Sequence, residues 1–135
     1  MAKKGRAEMA PANNLASNGV YVLMDEITME SCRECIKWIM NHNLGDNRLP
    51  QLTLIINSPG GDVHAAFALI DTMKASTIPI KTVGLGLIAS CGFLIFIAGE
   101  KGRRILTPNT AILSHQYSWG SKGKEHELYA RVKEF

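Results

Sequence analysis

Ser90 stands in Ala89-Ser90-Cys91-Gly92, where an apolar run that suits a strand passes into one that suits a helix. Ser90-Cys91-Gly92 reproduces the second half of the G-x-S-x-G elbow of hydrolases, with Ile88 in place of the first glycine. Such a turn presents a hydroxyl at a helix N-terminus. Unpaired amides and the positive end of the helix dipole there favour negative charge developing on an attacked carbonyl. Serine is a poor nucleophile until a base takes its proton, so a histidine is needed. The sequence holds four, His42, His64, His115 and His126. His115 ends a short apolar run at 111–114, so in a parallel sheet it projects from an edge near the elbow. His42 falls at a helix end, His64 early in a helix and His126 in a polar terminal segment. The plain alternative is a helix-capping Ser90 and a surface His115.

A second element shifts that balance. Ser58-Pro59-Gly60-Gly61 follows an apolar run directly, and paired glycines there let backbone approach a ligand and supply the amides of an oxyanion hole. An ordinary turn explains one glycine; two before a helix fit an anion-binding turn better. Two other motifs are weaker. Cys32-Arg33-Glu34-Cys35 is a C-x-x-C, but no second pair completes a tetrahedral site, and both thiols lie on the apolar stripe of a helix. Gly84-x-Gly86-x-x-Ala89 matches the loose dinucleotide fingerprint. Its context fails, because Arg103 and Arg104 lie at the start of the next strand rather than its end.

These residues need strands and helices to hold them. Residues 20–24 suit a strand, Thr28 an N-cap, and Cys32, Cys35, Ile36, Ile39 and Met40 form one helical stripe. Residues 52–57 read as a strand buried on both faces. A helix from 63 to about 75 follows, with Val63, Ala66, Phe67, Ile70 and Met73 on one face, then strand 80–86, helix 90–98 and short strands at 103–107 and 111–114. Residues 124–135 have helical propensity. This alternation predicts an α/β fold with a mostly parallel sheet.

With 135 residues, net charge +3 and 20% charged residues, the chain suits one domain and shows no basic run that demands nucleic acid or an anionic membrane. Residues 1–18, with Lys3, Lys4 and Arg6, read as a flexible arm, and 19–135 as the core. Residues 82–99 are 18 consecutive uncharged residues, the minimum for a membrane span, yet Gly84, Gly86, Gly92 and Gly99 divide them into strand, turn and buried helix. Three unevenly spaced cysteines and the lack of an apolar leader predict a cytoplasmic location.

Taken in order, Ile56-Asn57-Ser58-Pro59-Gly60-Gly61, Ile70-Asp71-Thr72-Met73, Ala89-Ser90-Cys91-Gly92, Gly99, Lys101-Gly102-Arg103, Pro108-Asn109 and His115-Gln116 resemble the proteolytic subunit of the Clp protease, ClpP. The likeness runs from about Val20 to the end, with 29 residues from Gly61 to Ser90 and 25 from Ser90 to His115. It implies a ClpP/crotonase-like fold of repeated β-β-α units, truncated C-terminally. It implies Ser90 as nucleophile, His115 as general base, and amides of Gly61 and Cys91 as the oxyanion hole. Cys91 stands where the family usually has Met, a change to which a backbone donor is indifferent. Gly60, Asp62, Val63, Gln116 and Tyr117 resemble the segments that hold a peptide as an added strand; Tyr117 replaces a common proline.

The resemblance further implies a serine endopeptidase acting on peptides or unfolded proteins without cofactor or metal. Its setting would be a homo-oligomeric, heptameric ring of a kind that can stack, with an AAA+ unfoldase such as ClpX, ClpA or ClpC. Residues 1–19 offer no counterpart to the family's leading helix and axial loop, and the sequence reaches Phe135 near the start of the handle helix. The triad aspartate would fall beyond it; Asp25, Asp46, Asp62 and Asp71 do not inherit the role. Without a carboxylate to fix the imidazole, turnover drops on the order of 10⁴-fold. Two further readings stand beside this one: a catalytically impaired structural or regulatory ring subunit, and an acyl-CoA enzyme of the crotonase class, which also uses paired-glycine oxyanion donors.

Overall fold

The computed structural model describes residues 14–114. Strand β1 (Val20–Met24) leads through Ile27 to helix α1 (Met29–Leu44). Thr28 starts that helix: its hydroxyl accepts the Ser31 N–H at 2.9 Å while the Ser31 hydroxyl accepts the Thr28 N–H at 3.0 Å, a reciprocal cap. Strand β2 (Leu52–Ser58) follows, then helix α2 (Val63–Ala75), capped by Asp62, whose carboxylate accepts from the backbone of His64 and Ala65. Strand β3 (Ile80–Ala89), helix α3 (Cys91–Ile97) and the short strands β4 (Arg104–Leu106) and β5 (Ala111–Leu113) complete the described elements.

All five strands join one parallel sheet in the order β1-β2-β3-β4, with β5 also on β3. Strand β3 is long enough to serve two partners in turn. Its residues 82–84 pair with β4 and its residues 87–89 with β5. Helices α1, α2 and α3 pack side by side on a single face, over a core that includes Leu23, Ile39, Leu54, Ile56, Leu69 and Ile95. Strand β2 therefore alternates, with Leu52, Leu54, Ile56 and Ser58 buried and the residues between them half-buried. The expectation of burial on both faces is corrected: with helices on one side only, the row Val22, Ile55, Val83 and Ile105 lies on the open face.

Three further differences have physical causes. On α1 the buried set is Cys32, Cys35, Trp38 and Ile39, whereas Met40 is half exposed. Trp38 wins because its ring meets Tyr21 at 5.2 Å and its Nε1 donates to the Ala16 carbonyl at 2.9 Å. His42 Nε2 lies 2.9 Å from the same oxygen, so Ala16–Asn18, within the stretch read as an arm, form a 3-10 turn pinned to α1. Strand β3 runs on to Ala89 rather than stopping at Gly86, because Gly86 (φ 82°) sits in a bulge where the β2–β3 register shifts. A side chain there would meet Asn57 at 2.5 Å.

The apolar stretch 82–99 resolves into β3, a turn and α3. No helix of the described residues is long and apolar enough to cross a membrane. Buried Thr82 closes the far end of α3, its hydroxyl donating to the Phe96 carbonyl at 2.8 Å. Gly99 leaves room for it, since a Cβ would stand 2.3 Å from that hydroxyl. The arm residues 1–13, the helical tendency at 124–135, and His115, Gln116, Tyr117 and His126 lie outside the described residues.

Candidate active site

Ser90 joins β3 to α3 at φ 55° and ψ −127°, making it the one described non-glycine residue with positive φ. A serine in that conformation is strained by about 1–3 kcal/mol, and the surrounding structure has to impose it. Two bonds do so: the Ser90 N–H donates to the Leu113 carbonyl of β5 at 2.9 Å, and the Ser90 carbonyl accepts the Phe93 N–H at 3.0 Å. The hydroxyl makes no cap bond to α3. Ser90 is thus a half-exposed elbow rather than the helix-capping serine of the plain reading.

The glycine turn lies against this elbow. Gly60 has φ 103°, and a Cβ on it would stand 2.7 Å from Ser90 Cβ and 3.3 Å from Ser90 Oγ. Ile27 holds the turn from the other side: its N–H donates to the Gly60 carbonyl at 2.9 Å and its carbonyl accepts the Asp62 N–H at 2.7 Å. In this parallel bridge the bonds belong to the neighbours of Gly61, so the N–H and carbonyl of Gly61 itself point away from Ile27. Gly61 also approaches so closely that a Cβ would fall 2.2 Å from the Ile27 oxygen. The Cys91 N–H, at the first position of α3, is one of the helix-start donors without an intrahelical partner. Burial pushes the Cys91 thiol pKa up, while the backbone amides of Gly61 and Cys91 pull against that rise.

Of the residues singled out in sequence, Ser90, Cys91, Gly60 and Gly61 come together. Asp62 and Val63 continue from the turn into the first turn of α2, with the Asp62 carboxylate committed to capping. Ile27, which clamps the glycine turn, and Ser58, whose buried hydroxyl accepts the Gly60 N–H at 3.1 Å, were not singled out for a role. Ile27 carries no local signal, since its part is played through a bridge to a residue 34 positions on. The bulge at Gly86 removes the fingerprint reading: Gly84 packs inside the sheet against Leu106 and Phe96, so neither glycine opens a helix. Cys32 and Cys35 are fully buried, and burial raises the Cys32 pKa from 9.0 to about 11 and that of Cys35 further, which keeps both protonated at neutral pH. Among the described residues no group of three His, Cys, Asp or Glu side chains is arranged to hold a metal ion.

Known proteins resemble this chain in sequence and fold. The chain is 38% identical over 84 residues to an ATP-dependent Clp protease proteolytic subunit of Deinococcus radiodurans, an alignment covering 62% of this chain and 41% of that protein. It is 37% identical over 111 residues to the proteolytic subunit 1 of Corynebacterium jeikeium, covering 82% and 56%. The chain thus spans about half the length of the curated relatives it matches. Its structure superposes on the crystal structure of the ClpP protease catalytic domain of Plasmodium falciparum with a TM-score of 0.70 at 27% identity, covering 97% of this chain and 67% of that one. The model of the Clp protease family matches residues 3–135, a span that takes in both the glycine turn and the serine elbow, and the chain belongs to that family.

Proposed function

We propose that this chain carries the nucleophile and oxyanion-binding part of a ClpP-like serine endopeptidase. Ser90 Oγ attacks a peptide carbonyl as its proton passes to His115. The N–H groups of Gly61 and Cys91 hold the oxyanion, and the amine leaves to give an acyl-enzyme that water hydrolyses. The observation that carries this reading is the elbow itself: a strained serine at a strand-to-helix turn, with a side-chain-free turn packed on its Cβ. Register supports His115 as the base. Leu113 pairs with Ala89, its carbonyl takes the Ser90 N–H, and a residue two positions beyond has its Cα within about 7 Å of Leu113 Cα. A substrate strand would lie along Gly60, Gly61, Asp62 and Val63 on one side and Gln116 and Tyr117 on the other, pairing with the outward carbonyl of Gly61. Family membership supports unfolded protein as substrate, a heptameric ring, delivery by an AAA+ unfoldase and a cytoplasmic setting.

A fluorophosphonate probe tests the assignment. The protein is labelled at Ser90, and Ser90→Ala abolishes labelling; undiminished labelling of the variant overturns it.

A further inference from the structure

Two fully buried hydroxyls belong to the described residues, Thr82 and Ser58. Thr82 is accounted for by the C-terminal end of α3, where it binds the Phe96 carbonyl. Ser58 stands at the opposite end of that helix. Its Oγ accepts the Gly60 N–H at 3.1 Å, and its Cβ and carbonyl oxygen each lie 3.3 Å from where a Cβ on Gly92 would be. One side of Ser58 therefore touches the residue before Gly61, and the other touches the residue after Cys91. We infer that Ser58 is a positioning residue: its buried hydroxyl sets the spacing and direction of the two oxyanion donors, Gly61 and Cys91, without touching substrate. The inference rests on the serine-peptidase reading above and adds to it the part that aims the hole.

The chemistry is that of a fixed spacer. Strand β2 ends at Ser58, and its register with β3 is re-set across the bulge to Ser58 opposite Ile88, so the strand end is anchored to the strand that carries Ser90. Pro59 carries the chain on in the direction of β2, since Gly61 bridges Ile27 in parallel as β2 pairs β1, and Gly60 takes φ 103°, a conformation open to glycine that the surrounding bonds must hold. Three bonds hold this turn: the Ile27 N–H on the Gly60 carbonyl, the Asp62 N–H on the Ile27 carbonyl, and the Gly60 N–H on Ser58 Oγ. Only the last acts from the side of α3. Removing it leaves the Gly60 N–H buried without an acceptor, and the turn must shift to find another. Donors aimed at a developing charge lose much of their effect when displaced by a fraction of an ångström, whereas binding of an extended peptide is spread over several contacts.

The test compares wild type, Ser58→Ala and Ser90→Ala by fluorophosphonate saturation kinetics, with thermal melts in parallel. Phosphonylation places an oxyanion in the same hole, so Ser58→Ala lowers the maximal labelling rate about 10- to 100-fold while the probe concentration at half-maximal rate stays within about two-fold. Ser58→Ala retains Cβ, so the contact with Gly92 survives and the change isolates the hydroxyl. If the alanine variant does not fold, Ser58→Cys, which keeps the volume but is a weak acceptor, gives the same split. A variant that melts lower yet labels at the wild-type maximal rate overturns the inference and leaves Ser58 a packing residue. Labelling that persists in Ser90→Ala refutes the parent reading, and with it this one; loss of labelling in Ser90→Ala with none in Ser58→Ala refutes this one alone.

Discussion

Replacing Gly60 by alanine tests the central geometric claim, that the glycine segment is packed on Ser90. Two costs combine. An L side chain at φ 103° forfeits about 1–2 kcal/mol, the ordinary penalty for a left-handed backbone. The new Cβ, at 2.7 Å from Ser90 Cβ and 3.0 Å from the Ala89 carbonyl, must also retreat by about 0.7 Å to reach ordinary contact distance. Neither neighbour yields readily: Ser90 is held at both its N–H and carbonyl, and Ala89 is paired in the sheet. Overpacking of this kind costs about 1–3 kcal/mol, for a total of about 2–5 kcal/mol. Gly102 supplies the control, because it has φ 86° with nothing within 4 Å of a Cβ, so Gly102→Ala incurs the backbone penalty alone. Urea denaturation of the two variants side by side isolates the contact as their difference, about 1–3 kcal/mol. Fluorophosphonate labelling falls on the order of 10²-fold in Gly60→Ala, from displacement of the hydroxyl, and stays at wild type in Gly102→Ala. Equal stability losses and equal labelling rates in the two variants would refute the reasoning.

Other outcomes follow from the same contacts. Ser90→Gly and Ser90→Ala both lose labelling, but the glycine variant is the more stable by about 1 kcal/mol, because only it relieves φ 55°; a more stable alanine variant in urea melts contradicts the strain. Thr82→Val removes the shorter of the bonds to the Phe96 carbonyl, which keeps the Gly99 N–H at 3.2 Å, and lowers stability by about 0.5–1.5 kcal/mol with labelling unaffected; an unchanged urea midpoint disproves it. Cys32 titrates at 9.0 unfolded and about 11 folded, so the unfolded state sheds its proton first and stability falls as pH rises from 9 to 11. Cys32→Ala reduces that slope relative to wild type, and parallel slopes in urea midpoints against pH would count against the burial argument.

How much of this the residues announce depends on whether a role is local. Val20–Met24 and Val63–Ala75 coincide with their sequence patterns because β-branching in one and apolar spacing in the other act within a few residues. Thr28 is legible as a cap, although the partner that closes the box is Ser31 rather than an acid. Trp38 and the full length of β3 are not legible, since they depend on Ala16 and on a bulge opposite Asn57. In the site, Ser90 and the paired glycines stand out because strain and close approach restrict residue type. Ser58 and Ile27 act only through backbone brought in by the sheet, and their types carry no mark of it.

Strand β5 has a consequence for how such a site is switched. It is three residues long, exposed at each, and among the described strands pairs with β3 alone, yet its Leu113 carbonyl is the acceptor that holds the Ser90 N–H. The core beneath is closed by α1, α2 and α3 without it. Fraying β5 therefore releases the elbow while leaving the hydrophobic interior intact, as expected of a short strand with every residue exposed. In amide hydrogen exchange, the Ser90 proton opens on the timescale of the strand end rather than of global unfolding. Anything that settles on β5 tightens the Ser90 backbone, and anything that lifts it loosens the elbow without denaturing the protein.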